Sequence, residues 1–187
     1  MSAEIRPLSA ELWPAFEELF GANGACGGCW CMVWRVPSKE WDARKGSRNK
    51  QSMRRLVKAG PPPGVLAIDG GKAVGWCAVA PRSDYVRLET SRAMRPVDDE
   101  PVWSVSCFFI ARGFRRKGLS VKLLRGAVDL ARKHGAKIVE GYPVIPSKDK
   151  VPDVFAWTGM LATFEKAGFR EVHRWLPNRP IMRIDCR

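Results

Sequence analysis

Apolar residues along the chain recur in two rhythms, one close to every second residue and one near the helical repeat, and the switches between them mark out short alternating elements. Ile5 to Leu8 predicts a first strand; Leu12, Phe16, Leu19 and Phe20 then share one face of a helix that Ser9 is placed to cap. Glycines between Gly21 and Gly28 interrupt it. Ser38 to Lys58 predicts a strongly basic helical stretch whose apolar share is Trp41, Met53, Leu56 and Val57, and Pro61-Pro62-Pro63-Gly64 ends it. Val65 to Ile68 and Ala73 to Ala80 flank Asp69-Gly70-Gly71-Lys72, whose Asp-Gly and Gly-Gly pairs tolerate the positive φ of a tight hairpin turn. Residues 81 to 101 are polar and predict a loop with one short helix.

The second half carries the longer elements. Val102 to Ile110 is an apolar strand, and Leu119, Leu123, Ala127 and Leu130 recur at helical spacing between Gly118 and His134. Gly135 stops that helix and Ala136 to Tyr142 follows as a strand, an order that predicts a parallel pair with a right-handed crossover. Asp153 is placed to cap a helix running to Ala167, and Phe169 to Trp175 and Ile181 to Ile184 predict two closing strands.

Between the long strand and its helix lies Arg115-Arg116-Lys117-Gly118-Leu119-Ser120. The first amides of a helix have no intrahelical acceptor and sit at its positive end, so a basic, glycine-bearing loop there suits phosphate. Arg115-x-x-Gly118-x-Ser120 in this context resembles the acyl-CoA pyrophosphate loop of the GNAT superfamily of acetyl-CoA-dependent N-acetyltransferases, whose last position is Gly or Ala where this chain has Ser120. Phe164-Glu165-Lys166-Ala167-Gly168-Phe169 resembles the late GNAT segment in which a helix ends at a Gly-Phe pair. Neither a Walker loop nor a dinucleotide fingerprint is present.

The resemblance spans the whole chain as one domain, residues 1–187, with a Cys/Trp-rich and basic region at about 22–60 as its least typical part. It implies an α/β, three-layer GNAT-type fold: a central mixed, mostly antiparallel sheet of six to seven strands flanked by helices. It further implies that acetyl-CoA is the co-substrate, with Phe108, Phe109 and Ile110 beside the pantetheine arm and Arg115, Arg116, Lys117, Gly118, Leu119 and Ser120 around the pyrophosphate. The partner would be an amine acceptor, acetylated by direct attack on the thioester.

Two departures touch the proton chemistry. A tyrosine that often protonates the CoA thiolate is Phe164 here, and an asparagine often found seven residues earlier is Trp157. Only Tyr85 and Tyr142 exist in the chain. Tyr142, at the end of the strand expected beside the thioester, is the candidate acid, and equally reads as a packed aromatic. Glu140, two residues earlier on the same strand face, is the candidate base, and equally reads as a salt-bridged carboxylate. Cys107 on the central strand could carry an acetyl group, but a buried thiol there usually packs as a small hydrophobe.

Cys26-Gly-Gly-Cys29-Trp30-Cys31 offers three thiolates, yet a four-thiolate zinc site draws on two Cys-x-x-Cys knuckles and only one is present, so no metal is expected. Trp30, Cys31 and Trp34 are expected instead to wall an apolar acceptor pocket. Composition adds bounds. At 187 residues and 45% hydrophobic the chain can bury its own core, and its six cysteines need not pair in a reducing compartment. The N-terminus lacks a signal-peptide layout and no run of roughly 18 apolar residues occurs, so a cytoplasmic protein without a membrane partner is expected. The formal charge of +13 suits an anionic ligand; the basic run Arg44 to Lys58 is more simply a solvated helix face than a nucleic-acid site. A homodimer, and a CoA-binding sensor or scaffold without catalysis, are compatible with the same residues.

Overall fold

The computed structural model describes residues 2–146 and 156–186. Seven strands form one sheet in the order β1-β2-β3-β4-β5-β7-β6. They are β1 Glu4–Pro7, β2 Gly64–Asp69, β3 Lys72–Pro81, β4 Trp103–Ile110, β5 Ile138–Gly141, β6 Arg170–Leu176 and β7 Arg179–Asp185. Neighbours are antiparallel except β4 and β5, which run parallel across the crossover helix α5, Leu119–Lys133. The mixed, mostly antiparallel sheet expected from the sequence is the one observed.

Two apolar layers cover the sheet. On one face α5 lays Leu119, Leu123, Leu124, Ala127, Leu130 and Ala131 against Val65, Cys77, Val79 and Val105. Gly75 lets it approach, since a Cβ there would stand 2.9 Å from Leu123. On the other face α1, Trp13–Phe20, packs Trp13, Phe16 and Phe20 with Trp30, Cys31, Met53, Trp76 and Cys107.

Alternation along β4 breaks once. Val105 opposes Val79 and Cys107 opposes Ala78, which leaves Ser106 as a bulge. Val105 therefore faces the α5 layer, Cys107 the α1 layer and Phe108 the α5 layer again.

Several boundaries differ from the sequence expectation. Ser9 does not cap α1; the cap position is Leu12 with no side-chain bond, and the Pro in the first turn starts the helix because its missing N–H is not needed there. The single helix expected over 38–58 is a 3₁₀ turn, Ser38–Glu40, then α2, Trp41–Arg44, then α3, Ser47–Ala59. Gly46 breaks it at φ 77°, where its N–H donates to the Gly28 carbonyl at 2.9 Å. Asn49 donates to that same carbonyl at 3.2 Å, so the Cys-rich insertion is stitched to α3. The short helix of the polar loop is α4, Val86–Glu89. The expected Asp153 cap lies outside the described residues, and the helix it was to open is α6, Leu161–Ala167.

Candidate functional site

A cavity of about 670 Å³ opens where β4 and β5 part. The two strands pair only from Trp103↔Val139 to Val105↔Gly141, because the bulge at Ser106 turns β4 away. The cavity is lined by Phe20, Cys26, Cys29, Cys31, Val33 and Trp41 from the insertion side, by Cys107, Phe108, Phe109 and Ile110 of β4, and by Arg115, Arg116 and Ser120. Trp157 and Met160 from the segment leading into α6, and Thr163 of α6 itself, close it.

The basic loop has the shape of an anion cradle. Arg116 and Gly118 adopt φ of 59° and 76°, turning the chain so that α5 begins at Leu119. Among the described residues the amide hydrogens of Arg116 to Ser120 have no backbone acceptor. Arg115 Nε donates to the Ile110 carbonyl at 2.9 Å, which ties the loop to the strand end. Two of the expected loop residues turn their side chains elsewhere: Leu119 is in the core and Lys117 lies over Phe114.

Phe108 lines the cavity, and its backbone is engaged within the chain. Its N–H, turned toward the strand opening, donates to the Trp157 carbonyl at 2.6 Å. A bulged strand leaves such an amide without a ladder partner, and a buried donor takes the nearest acceptor.

Glu140 and Tyr142 do not line the cavity. Both are buried, and Tyr142 Oη donates to Glu140 Oε1 at 2.7 Å. Arg82 Nη1 donates to that carboxylate at 3.1 Å and to the tyrosine oxygen at 2.6 Å, while Arg183 Nε donates to Glu140 Oε2 at 2.7 Å. Ser104 Oγ lies 2.7 Å from the tyrosine oxygen. Burial first, then the Glu140 charge, pushes the Tyr142 phenol well above its ordinary value. Expected as acid and base, or else as a packed aromatic and a salt-bridged carboxylate, the two sit in an ionic network with Arg82 and Arg183, outside the described cavity lining.

The expected acceptor wall is also redrawn. Trp30 is core, stacked on Phe20 at 5.7 Å. Trp34 packs behind the cavity, stacked on Trp157 at 5.5 Å. Of the three, Cys31 alone lines the opening, joined by Val33 and by Phe20 and Trp41, which the sequence pattern marks only as apolar helix positions. Phe164, at the usual tyrosine position, is fully buried edge-on to Phe108 at 6.1 Å, and a Cβ at Gly141 would overlap its ring.

Among the described lining residues there is no Asp, Glu, His or Tyr; the proton-holding groups are thiols. Cys31 Sγ accepts from Trp76 Nε1 at 3.2 Å. The Cys107 S–H donates to the Phe108 carbonyl at 3.7 Å and packs in the same cluster as Cys31. The neighbouring Cys107 thiol, then the Trp76 N–H and the Arg35 charge, outweigh burial and hold Cys31 below the ordinary thiol value. Cys107, in contact with the Cys31 sulfur and equally buried, is pushed well above it. Among the described residues no group of three or more His, Cys, Asp or Glu is arranged to hold a metal, and no helix is long and apolar enough to cross a membrane.

Residues 30–145 match the model of the acetyltransferase (GNAT) family. The chain belongs to this family. A search of curated proteins finds no match. Among solved structures, a GNAT-family acetyltransferase from Streptococcus agalactiae aligns over 99% of this chain and 96% of its own, with TM-score 0.56 and 15% identity. The paia N-acetyltransferase of Thermoplasma acidophilum, in complex with coenzyme A, covers 99% of both chains at TM-score 0.53 and 14% identity. The yncA protein of Salmonella typhimurium, with its cofactor acetyl-CoA, covers 100% of this chain and 95% of its own at TM-score 0.55 and 16% identity. At these identities the likeness is one of fold.

Proposed function

We propose that the protein transfers an acetyl group from acetyl-CoA to a primary amine of a small molecule or peptide, by direct attack of the amine on the thioester. One observation carries the reading: a single cavity has unpaired amides and two guanidinium groups at one end, and thiols and aromatics at the other. The amides of Arg116 to Ser120 suit the pyrophosphate, and Arg115 and Arg116 add charge beside it. The parting of β4 from β5 leaves room for an extended pantetheine arm. Phe108 N–H would then exchange the Trp157 carbonyl for the cofactor or the thioester oxygen, the position in which a fixed donor stabilises a tetrahedral oxyanion. Phe20, Val33 and Trp41 favour an acceptor with an apolar part next to its amine. A reducing cytoplasmic setting goes with this reading, since all six thiols are unpaired.

A second reading, a CoA-binding sensor or scaffold, is motivated by Phe164 and by the occupied Phe108 amide. A nucleic-acid role draws less support, because the basic stretch is largely engaged within the chain. Lys50 pairs with Glu17, Arg44 with Glu40, Lys45 with Asp42, and Arg54 lies over Trp13. Calorimetry with acetyl-CoA and with short duplex DNA separates these classes, followed by thiol release in the presence of a panel of primary amines. Acetyl-CoA binding with amine-dependent thiol release is expected. Binding without release would leave the scaffold, and DNA binding in place of acetyl-CoA would overturn the enzyme reading.

A further inference from the structure

Transfer to an amine needs a group that removes its proton, because an ammonium has no lone pair. Among the described residues the cavity supplies no carboxylate, imidazole or phenol for this, and the tyrosine position of the late helix is Phe164, buried outside it. It does supply a thiol pair at the place where β4 bulges. The bulge at Ser106 rotates Cys107 onto the insertion side of the sheet, where it meets Cys31. Cys31 is held from three directions: Trp76 Nε1 donates to its sulfur at 3.2 Å, Cys107 abuts it, and its own backbone sits at φ 58°, following Trp30 at φ 44°. Two successive non-glycine residues in the left-handed region are a costly arrangement, kept here by the packing of Trp30 and the indole bond to the sulfur.

The geometry points to Cys31 as the proton acceptor of the acetyl transfer, with Cys107 and Trp76 as the residues that position and charge-stabilise it. The inference rests on the acetyltransfer reading above. The Cys31 thiolate takes a proton from the acceptor ammonium, breaking an N–H bond and forming S–H. The freed lone pair forms the N–C bond at the thioester carbonyl. As the C–S bond breaks, its electron pair stays on the CoA sulfur, which receives the proton from Cys31. Cys31 then takes the second proton from the new amide nitrogen and loses it to solvent, so the products are the acetylamide, CoA thiol and one proton. No oxidant or metal is involved.

The ionisable groups facing Cys31 are Arg35 and Cys29 of its own loop, Cys77 of β3, Cys107 of β4 and Tyr85 at the start of α4. Arg35 is the sole cation of that set, and it keeps a carboxylate partner of its own in Asp84 at 3.0 Å.

The test has two arms on the full chain. In the first, alkylation of Cys31 by iodoacetamide is followed by peptide mass spectrometry as a function of pH, in the wild type and in Trp76→Phe. Cys31 should react with a midpoint below the usual free-thiol value of about 8.5, and Trp76→Phe should move that midpoint upward. A midpoint at or above the usual value overturns the proposal. In the second arm, Cys31→Ser should lower kcat for primary amines by roughly a hundredfold or more, in the range of general-base effects. Its acetyl-CoA affinity by calorimetry should stay within about twofold of wild type, showing an intact site. Cys31→Ser with wild-type kcat overturns the role of Cys31. An acetyl adduct on Cys31 or Cys107 in intact-mass spectra also overturns it, since the thiol would then be a nucleophile. Failure of the wild type to bind acetyl-CoA, or to acetylate any amine, would instead defeat the acetyltransfer reading itself.

Discussion

Replacing Glu140 with Gln should destabilise the fold while leaving turnover near wild type. The carboxylate is fully buried and accepts from Tyr142 at 2.7 Å, from Arg82 at 3.1 Å and from Arg183 at 2.7 Å. A glutamine keeps one acceptor oxygen and turns an NH2 toward one of the two guanidinium groups, so at least one charge-assisted bond is lost and donor faces donor. Such a bond contributes about 1.5–3 kcal/mol, and breaking a buried ion pair from one side costs about 3–5 kcal/mol. Glu89 still pairs with Arg82 and Asp98 with Arg183, which places the loss near the lower end, at about 3 kcal/mol. For 187 residues the entropy of unfolding is about 0.4 kcal/mol per kelvin, so Tm should fall by about 8 °C. Calorimetry or a circular-dichroism melt reads the shift. Turnover at 25 °C should stay within about twofold, because a domain of ordinary stability, about 5–15 kcal/mol, remains folded there. An unchanged Tm with kcat reduced about a hundredfold would refute the reasoning and return Glu140 to the role of base.

Three further outcomes follow from the same geometry. Trp30→Ala should cost about 3–5 kcal/mol of stability with little selective change in acceptor KM, whereas Trp41→Ala, on the cavity rim, should raise acceptor KM more than acetyl-CoA KM; steady-state kinetics and melts decide between them. Arg116→Ala should weaken acetyl-CoA binding about tenfold, and less so at high salt, as read by calorimetry. Burial pushes Tyr85 up to about 12 and Tyr142 upward as well, and these are the only tyrosines. Their folded pKa values exceed the unfolded value of about 10, so their contribution to stability is full below that pH and is lost as pH rises through the folded values. Ultraviolet difference spectra should therefore show no tyrosinate near pH 10 in the folded protein; a midpoint there would contradict the buried placement.

Much of this was legible in the residues themselves. The helix of Leu119, Leu123, Ala127 and Leu130, the Asp-Gly-Gly turn and the basic loop before α5 each rest on local chemistry: apolar spacing, positive-φ tolerance and unpaired amides at a helix start. Because those signals are carried by neighbours in sequence, they needed no tertiary information. The break at Gly46 was not legible, since it depends on a carbonyl eighteen residues away at Gly28. Nor was the fate of Glu140, whose neighbours Arg82 and Arg183 come from different elements of the folded chain.

By itself the sequence determined the family, the element order and the basic, glycine-bearing loop before α5, because periodicity, turn chemistry and helix-end amides are properties of short segments. The tertiary structure alone decided what faces the cavity. A bulge of one residue at Ser106 inverted the alternation of β4, brought Cys107 to Cys31 and turned Phe108 toward the opening. Strand pairing, and not the local pattern, sets that phase, and a slip of one residue exchanges the faces of every side chain beyond it.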